Sequence, residues 1–335
     1  MLAPKDIDSV VKRIVQNTPV FDPWTQLHFG QSQPHTRVDH LLTQPELVHQ
    51  LRQVCGAIPE GLDLSAAADR VWQELFVQRS PLSENCRVVL STLNRVGLRE
   101  AVGQRQLTVI RQHVTQMPEG EWLKTIAGAA HLGWVGVQRG ELVPAGFSHR
   151  QFLSLHNLNE PAAAADFAAT SHSVLELSGG GDHEKLLPLL QLAAEHQHSL
   201  FCEVQQPEAL NVLCGLLEVP LPGLRWIVSG ADAVLYPMLQ KVAQHYPGVR
   251  LCGRWRTAMT EVYDLTRAQL DHLGSGFLHG YSKAQVPEQL VGRWVHLRSV
   301  LSNVLTEKYK VLIYAGWKLA PEDIERDVIS LLQGS

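Results

Sequence analysis

With 335 residues, of which 45% are hydrophobic and 19% charged, the chain is long enough to bury a large core and has the balance expected of a soluble protein. A net charge of −4 with no basic block excludes nucleic acid as an expected partner. No run approaches the ~18 uninterrupted apolar residues of a membrane span, and the opening MLAPKDIDSVVKRIV alternates charge with apolar residues, unlike a signal peptide. A cytoplasmic location, away from any membrane, is expected.

In chain order, the first predicted strand is PVFDPW, running on through TQLHFG. Residues 30–95 then hold helical patterns, including DHLLTQPELVHQLRQV and LSAAADRVWQELF, without a good strand. WVGVQR and QFLSLHN read as the next two strands. From about residue 170, apolar runs alternate with helical patterns. HSVLEL precedes DHEKLLPLLQLAAEHQ, SLFCEV precedes QPEALNVLCGLLE, and LRWIVSG precedes AVLYPMLQKVAQHY. VRLCGRW precedes TAMTEVYDLTRAQLDHL, and SGFLHGY precedes the long PEQLVGRWVHLRSVLSNVLTEKYK. Such alternation predicts a parallel sheet covered by helices. Eight strands predict an α/β fold of the (β/α)8 TIM barrel type, whose typical size is ~250 residues. The excess is assigned to a helical insertion after the first strand, within one domain spanning 1–335. A doubly wound open sheet is the alternative, because β–α repetition alone does not show closure.

Cysteines at 55, 86, 202, 214 and 252 make an odd count without C-x-x-C spacing, so reduced thiols are expected. Sixteen histidines include no H-E-x-x-H, and the group at 183, 196 and 198 is assigned to a solvated helix face. Gly179 to Gly181, before Asp182, match no phosphate-loop spacing and read as a tight turn capped by Asp182.

In a barrel, chemistry sits at the C-terminal strand ends. That selects Trp24, Gln26, Gln138, Arg139, His156, Asn157, Glu176, Glu203, Ser229, Arg254, Arg256, His279, Tyr281 and Lys283. The set suits an anionic, hydroxylated small molecule. Arg254 and Arg256, either side of Trp255, share a face by strand alternation and could grip a carboxylate at two points; rim ion pairs are the competing role.

These stretches resemble the uronate (glucuronate) isomerase branch of the amidohydrolase superfamily. The first strand is similar to that family's D-x-H-x-H-L pattern as Asp22-Pro-Trp24-Thr-Gln26-Leu27. DHLLTQPELV resembles the start of the family's insertion, and PLSENCRVVLSTLNRVGL its return. VRLCGRWRT, GSGFLHGYSKAQVPEQLVGRWVHLRSVLSNVLTEKY and AGWKLAPEDIERDV follow its last strands and closing helices. The resemblance implies metal-assisted aldose–ketose isomerisation of a sugar acid, with a divalent metal on two first-strand histidines and an aspartate after strand eight. Carried over, those positions are Trp24, Gln26 and Lys283. Indole offers no lone pair, a neutral amide is a poor ligand, and an ammonium repels a cation.

The expectation is therefore a barrel of this lineage without its metal and with no other cofactor, binding a sugar-acid-like anion or serving as a partner subunit; a homo-oligomer is allowed. Its ligand-binding candidates are Trp24, Gln26, His156, Arg254, Arg256 and Tyr281. The alternative is an active sugar-acid isomerase or related enzyme. Its catalytic candidates are Lys283, Glu203 and His279, with Lys283 forming a Schiff base or fixing an anion. A further variant keeps zinc or manganese on ligands such as His28, His156 or Glu203.

Overall fold

The structure, a computed structural model, describes residues 2–29, 37–56, 61–144, 147–155, 165–178, 183–255 and 258–334, with the backbone alone for 183–185. Helix α1 (Ile7–Asn17) buries Ile7, Val11, Ile14 and Val15, spaced to line one face, against the C-terminal helices. Strand β1 (Val20–Asp22) follows. Among the described residues, helices then follow as far as Ala130. These are α2 (Arg37–Leu42), α3 (Pro45–Cys55), α4 (Leu64–Trp72, running into a π turn at Gln73–Val77), α5 (Glu84–Arg95), α6 (Arg99–Gly103), α7 (Leu107–Gln116) and α8 (Glu119–Ala130). Asp63 and Ser83 cap α4 and α5 by accepting the amides of Ala66 and Cys86. This stretch has its own apolar cluster, including Leu41, Leu47, Val71, Trp72, Leu93 and Trp122. The helical section thus continues past residue 95 through α6–α8.

The remaining elements alternate. They are β2 (Leu132–Gln138), β3 (His149–Ser154), β4 (His172–Leu177), α9 (His183–Glu195), β5 (Ser199–Val204), α10 (Ala209–Leu217), β6 (Arg225–Gly230), α11 (Tyr236–His245), β7 (Val249–Leu251), α12 (Met259–Leu273), α13 (Pro287–Tyr314) and α14 (Pro321–Gln333). Among the described residues the sheet has seven parallel strands in sequence order, β1 to β7. That order contains no reversal, so the switch point of a doubly wound sheet is absent from it.

The eighth expected strand, SGFLHGY, is reduced to a parallel bridge between Cys252 and Leu278. Backbone bonds nevertheless tie 278–285 on both sides. Leu278 N–H donates to Leu251 O (2.8 Å), and Gly253 N–H and Trp255 N–H donate to Leu278 O (2.9 Å) and Tyr281 O (3.0 Å). On the other side Lys283 N–H donates to Trp24 O (3.3 Å), and Gln26 N–H to Ala284 O (2.8 Å). Regular pairing fails because Lys283 adopts φ 51°, outside the β region. Gly253 permits the close approach: a Cβ there would lie 2.1 Å from His279 O.

Side chains alternate across the strands. On the inner face Trp24, Phe152, Val174, Phe201, Cys252, Leu278 and Tyr281 form one apolar plug. The outer face joins α1 and α9–α14 in the main core. All five cysteines are free thiols, and burial pushes those of Cys202 and Cys252 strongly upward. His198 departs from the expected solvated helix face. It is fully buried beside β4, with Nδ1 2.8 Å from Ser173 Oγ and Nε2 3.0 Å from Phe167 O.

Candidate functional site

Period-two alternation carries Val174 and Glu176 of β4, and Phe201 and Glu203 of β5, to the inner face. The parallel register sets Val174 against Phe201, and Glu176 against Glu203, with Ser229 of β6 next in the row. Two carboxylates on neighbouring strands at the C-terminal end of the sheet repel unless a cation stands between them. Lys283 supplies it: Nζ donates to Glu203 Oε2 at 2.7 Å and to Glu176 Oε1 at 3.0 Å, and lies 4.7 Å from the centroid of the Trp24 ring. Trp24 in turn stacks on Tyr281, ring centroids 5.2 Å apart.

Glu203 is fully buried and accepts from four donors. Arg254 Nη1 (3.0 Å) and Tyr281 Oη reach Oε1; Lys283 Nζ and Gln205 Nε2 (2.6 Å) reach Oε2. Burial alone would raise its carboxyl, but Arg254 and Lys283 outweigh it and hold Glu203 below the usual value. Burial, reinforced by the Glu203 charge, keeps the Tyr281 phenol far above its ordinary range, so it stays a donor. With its lone pairs taken, Glu203 anchors the cluster and has none spare to receive a substrate proton.

The loop that presents Lys283 is fixed from below. Asp22, fully buried, accepts Ser282 N–H at 3.1 Å and Trp294 Nε1–H at 2.8 Å. Arg293 of α13 donates to the carbonyls of Ser282 and Lys283, both at 2.9 Å, while lying over Trp255 at 4.3 Å. Those bonds hold Lys283 in the left-handed conformation, which costs roughly 1–3 kcal/mol for a residue with a Cβ. Sequence reasoning missed Asp22, Arg293 and Trp294 as loop supports. Only the placing of Asp22 two residues before Trp24 hinted at one of them.

Burial pushes the Asp22 carboxyl up to about 6 despite its hydrogen bonds. Folding therefore favours its neutral form. That contribution is complete below the unfolded value of 3.8 and is lost as pH rises through about 6. The span corresponds to about 3 kcal/mol. Denaturant titrations at a series of pH values should show Asp22→Asn flattening the fall in stability between pH 4 and pH 6. An unchanged slope in the variant would place the titrating group elsewhere.

Two adjoining cavities open beside this cluster. One, of about 330 Å³, is lined by Gln26, Glu46 of α3, Arg254, Lys283, Gln285 and Arg293 among others. The other, of about 300 Å³, is lined by Trp24, Gln26, His28, Gln138, Ser154 and Glu176 among others. Gln26 and Gln285 belong to both.

The structure thus brings together Trp24, Gln26, Glu203, Arg254, Tyr281 and Lys283. His279 stands apart. Its ring is buried against α13, with Nε2 2.7 Å from Leu297 O, and burial pushes it down to about 4. It is a neutral histidine of the helix layer, away from the cavities. Ser229 is likewise engaged, with Tyr236 Oη (3.0 Å). His28 is half-exposed and meets Glu141 at 3.0 Å, and Arg139 pairs with Asp166 at 2.8 Å. His156, Asn157, Arg256, Gly179 to Gly181 and Asp182 lie outside the described residues. Among the described residues no group of three His, Cys, Asp or Glu side chains converges as a metal cage.

No protein-family model matches the chain, and no curated protein sequence matches it significantly. By structure it matches a uronate isomerase from Bacillus halodurans C-125 at TM-score 0.83 and 22% identity, over 100% of this chain and 96% of that one. A uronate isomerase from Thermotoga maritima matches at TM-score 0.69 and 9% identity, over 100% and 98%. From end to end, the chain shares the fold of these two uronate isomerases.

Proposed function

We propose that this protein is a uronate-isomerase-like (β/α)8 barrel, a single domain with a helical insertion and an irregular eighth strand that closes it. In this reading it binds a sugar-acid-like anion at the C-terminal strand ends without a divalent metal at the family positions. The observation that carries this is the Lys283 ammonium, seated between Glu203 and Glu176 and over Trp24. It occupies with a fixed positive charge the neighbourhood that the resemblance gives to a metal ligand. Trp24 and Gln26 add no competent donor, so the donor set does not fit the metal and no step is routed through one.

The same geometry argues against covalent chemistry at Lys283. Its ammonium is directed at two carboxylates and an aromatic face, whereas a Schiff base needs a free neutral amine. Arg254 is the better ligand-facing group. Among the described residues it spends Nη1 on Glu203 and Ala231 O, and its side chain remains 27% exposed beside the larger cavity. A guanidinium there can fix a carboxylate while Gln26 and Gln285 meet hydroxyl groups. A volume of about 330 Å³ lies at the lower end of the range for small-ligand pockets.

Calorimetric titration with glucuronate in the presence of a chelator tests the reading. Saturable binding without turnover is expected, and Arg254→Ala should weaken it roughly tenfold or more. Isomerisation that appears with added zinc or manganese and disappears with chelator would replace this reading with the metal-dependent one.

A further inference from the structure

Another cavity, of about 220 Å³, lies at the other end of the sheet, where α1 ends, α8 passes into β2, and the middle of α13 crosses both. Its lining includes Lys12, Gln16, Arg95, His131, Arg298 and Asn303. Among the described residues the lining side chains are cationic or neutral, with no carboxylate.

Arg298 is the centre of this site. It is only 6% exposed, yet among the described residues it makes no ion pair. Its Nη1 donates to Val15 O and to Gln16 O (3.3 Å), and its Nη2 to Thr18 O (2.8 Å) and His131 O (3.1 Å). Among the described residues its buried Nε–H has no partner. Three of the four acceptors belong to the C-terminal end of α1, so part of the role is structural: a guanidinium capping a helix end. A helix terminus contributes only about half a negative charge, however, and Arg298 does not stand alone.

Arg95, the last residue of α5, lines the same cavity and also makes no ion pair among the described residues. Burial first, and then the Arg95 charge, pushes the Arg298 guanidinium down to about 10, which leaves it ionised at neutral pH. Two like charges facing one cavity, one of them buried, raise the energy of the free protein. Lys12, paired with Asp8 at 2.9 Å, adds a third cation at the rim, and Asn303 adds an amide donor. An oxyanion would neutralise the pair and satisfy several donors at once.

We propose that this cavity binds a small oxyanion of the phosphate class, either free or as a phosphomonoester. The site is separate from the one at Lys283, and the inference does not depend on the sugar-acid reading.

Thermal unfolding with inorganic phosphate, against chloride at equal ionic strength, is the experiment. Phosphate should stabilise the wild-type chain saturably and beyond chloride. Arg95→Gln, at an exposed helix end, should raise the half-saturating concentration roughly tenfold or more. Asn303→Asp should do the same by placing a negative charge in the lining. Arg298 is left intact because removing it would strip the cap from α1. Since Arg254 could also attract phosphate, the effect must survive Arg254→Ala. Stabilisation no greater than that of chloride, or equal in wild type and both lining variants, would overturn the proposal, as would its loss in Arg254→Ala. A phosphomonoester that binds more tightly than phosphate at the same Arg95-dependent site would support the esterified form; equal binding would support the free ion.

Discussion

Replacing Glu203 with alanine is expected to destabilise the protein by about 3–5 kcal/mol, the usual effect of deleting one partner from a buried ion pair. For a chain of this size that is a fall in melting temperature of about 4–7 °C. The reason is convergence: one carboxylate accepts from Arg254, Lys283, Tyr281 and Gln205, and its loss strands two cations and a buried phenol together. Glu203→Gln should cost less than alanine, because its amide oxygen still accepts while its NH2 group faces donors. Scanning calorimetry on both variants checks this. A change below about 1 kcal/mol for alanine would mean that Lys283 and Arg254 reach water easily, and that the cluster is a loose surface network. The Glu203 carboxyl lies below its ordinary value when folded, so its contribution is present at neutral pH and is lost as pH falls through the folded value.

The second large effect is a gain. The triple variant Trp24→His, Gln26→His, Lys283→Asp should take up about one zinc per chain, because it places two imidazoles and a carboxylate at positions that already meet. Lys283 Nζ lies over the Trp24 ring, and Trp24 and Gln26 line the same cavity beside Glu176. Lys283→Asp alone should bind no metal and should lower stability, since it sets a third carboxylate beside Glu176 and Glu203. Metal analysis of the folded triple variant after dialysis is the measurement. A folded protein that holds no zinc would show that the three positions do not correspond to the ligand positions implied by the first-strand pattern.

Much of the scaffold was legible because it rests on local periodicity. SLFCEV and LRWIVSG contain the whole of β5 and β6, and the long apolar pattern after Pro287 is the single helix α13. Alternation within those strands also shows that Glu203 and Phe201 share a face. The eighth strand was only half legible. SGFLHGY reads as a strand, but support from Asp22 and Arg293 bends the chain at Lys283 into a conformation that no local pattern announces. His279 was misread for a related reason. Its place after an apolar run marks a strand end, but its ring turns outward to the carbonyl of Leu297.

The sequence by itself determined the order of strands and helices, the apolar faces, and the presence of an indole, an amide and a lysine at positions 24, 26 and 283, which the resemblance would give to metal ligands. Those properties are encoded residue by residue. Tertiary structure decided what the polar groups do. Glu176 and Glu203 become register neighbours, Lys283 bridges them from a loop 80 residues beyond Glu203, and Asp22 holds that loop across 260 residues. Pairing of buried charges depends on packing between distant elements, where a displacement of about 1 Å decides whether a hydrogen bond forms. The same reason hid Arg298 and Arg95, which read as ordinary helix residues until the fold places them around one cavity.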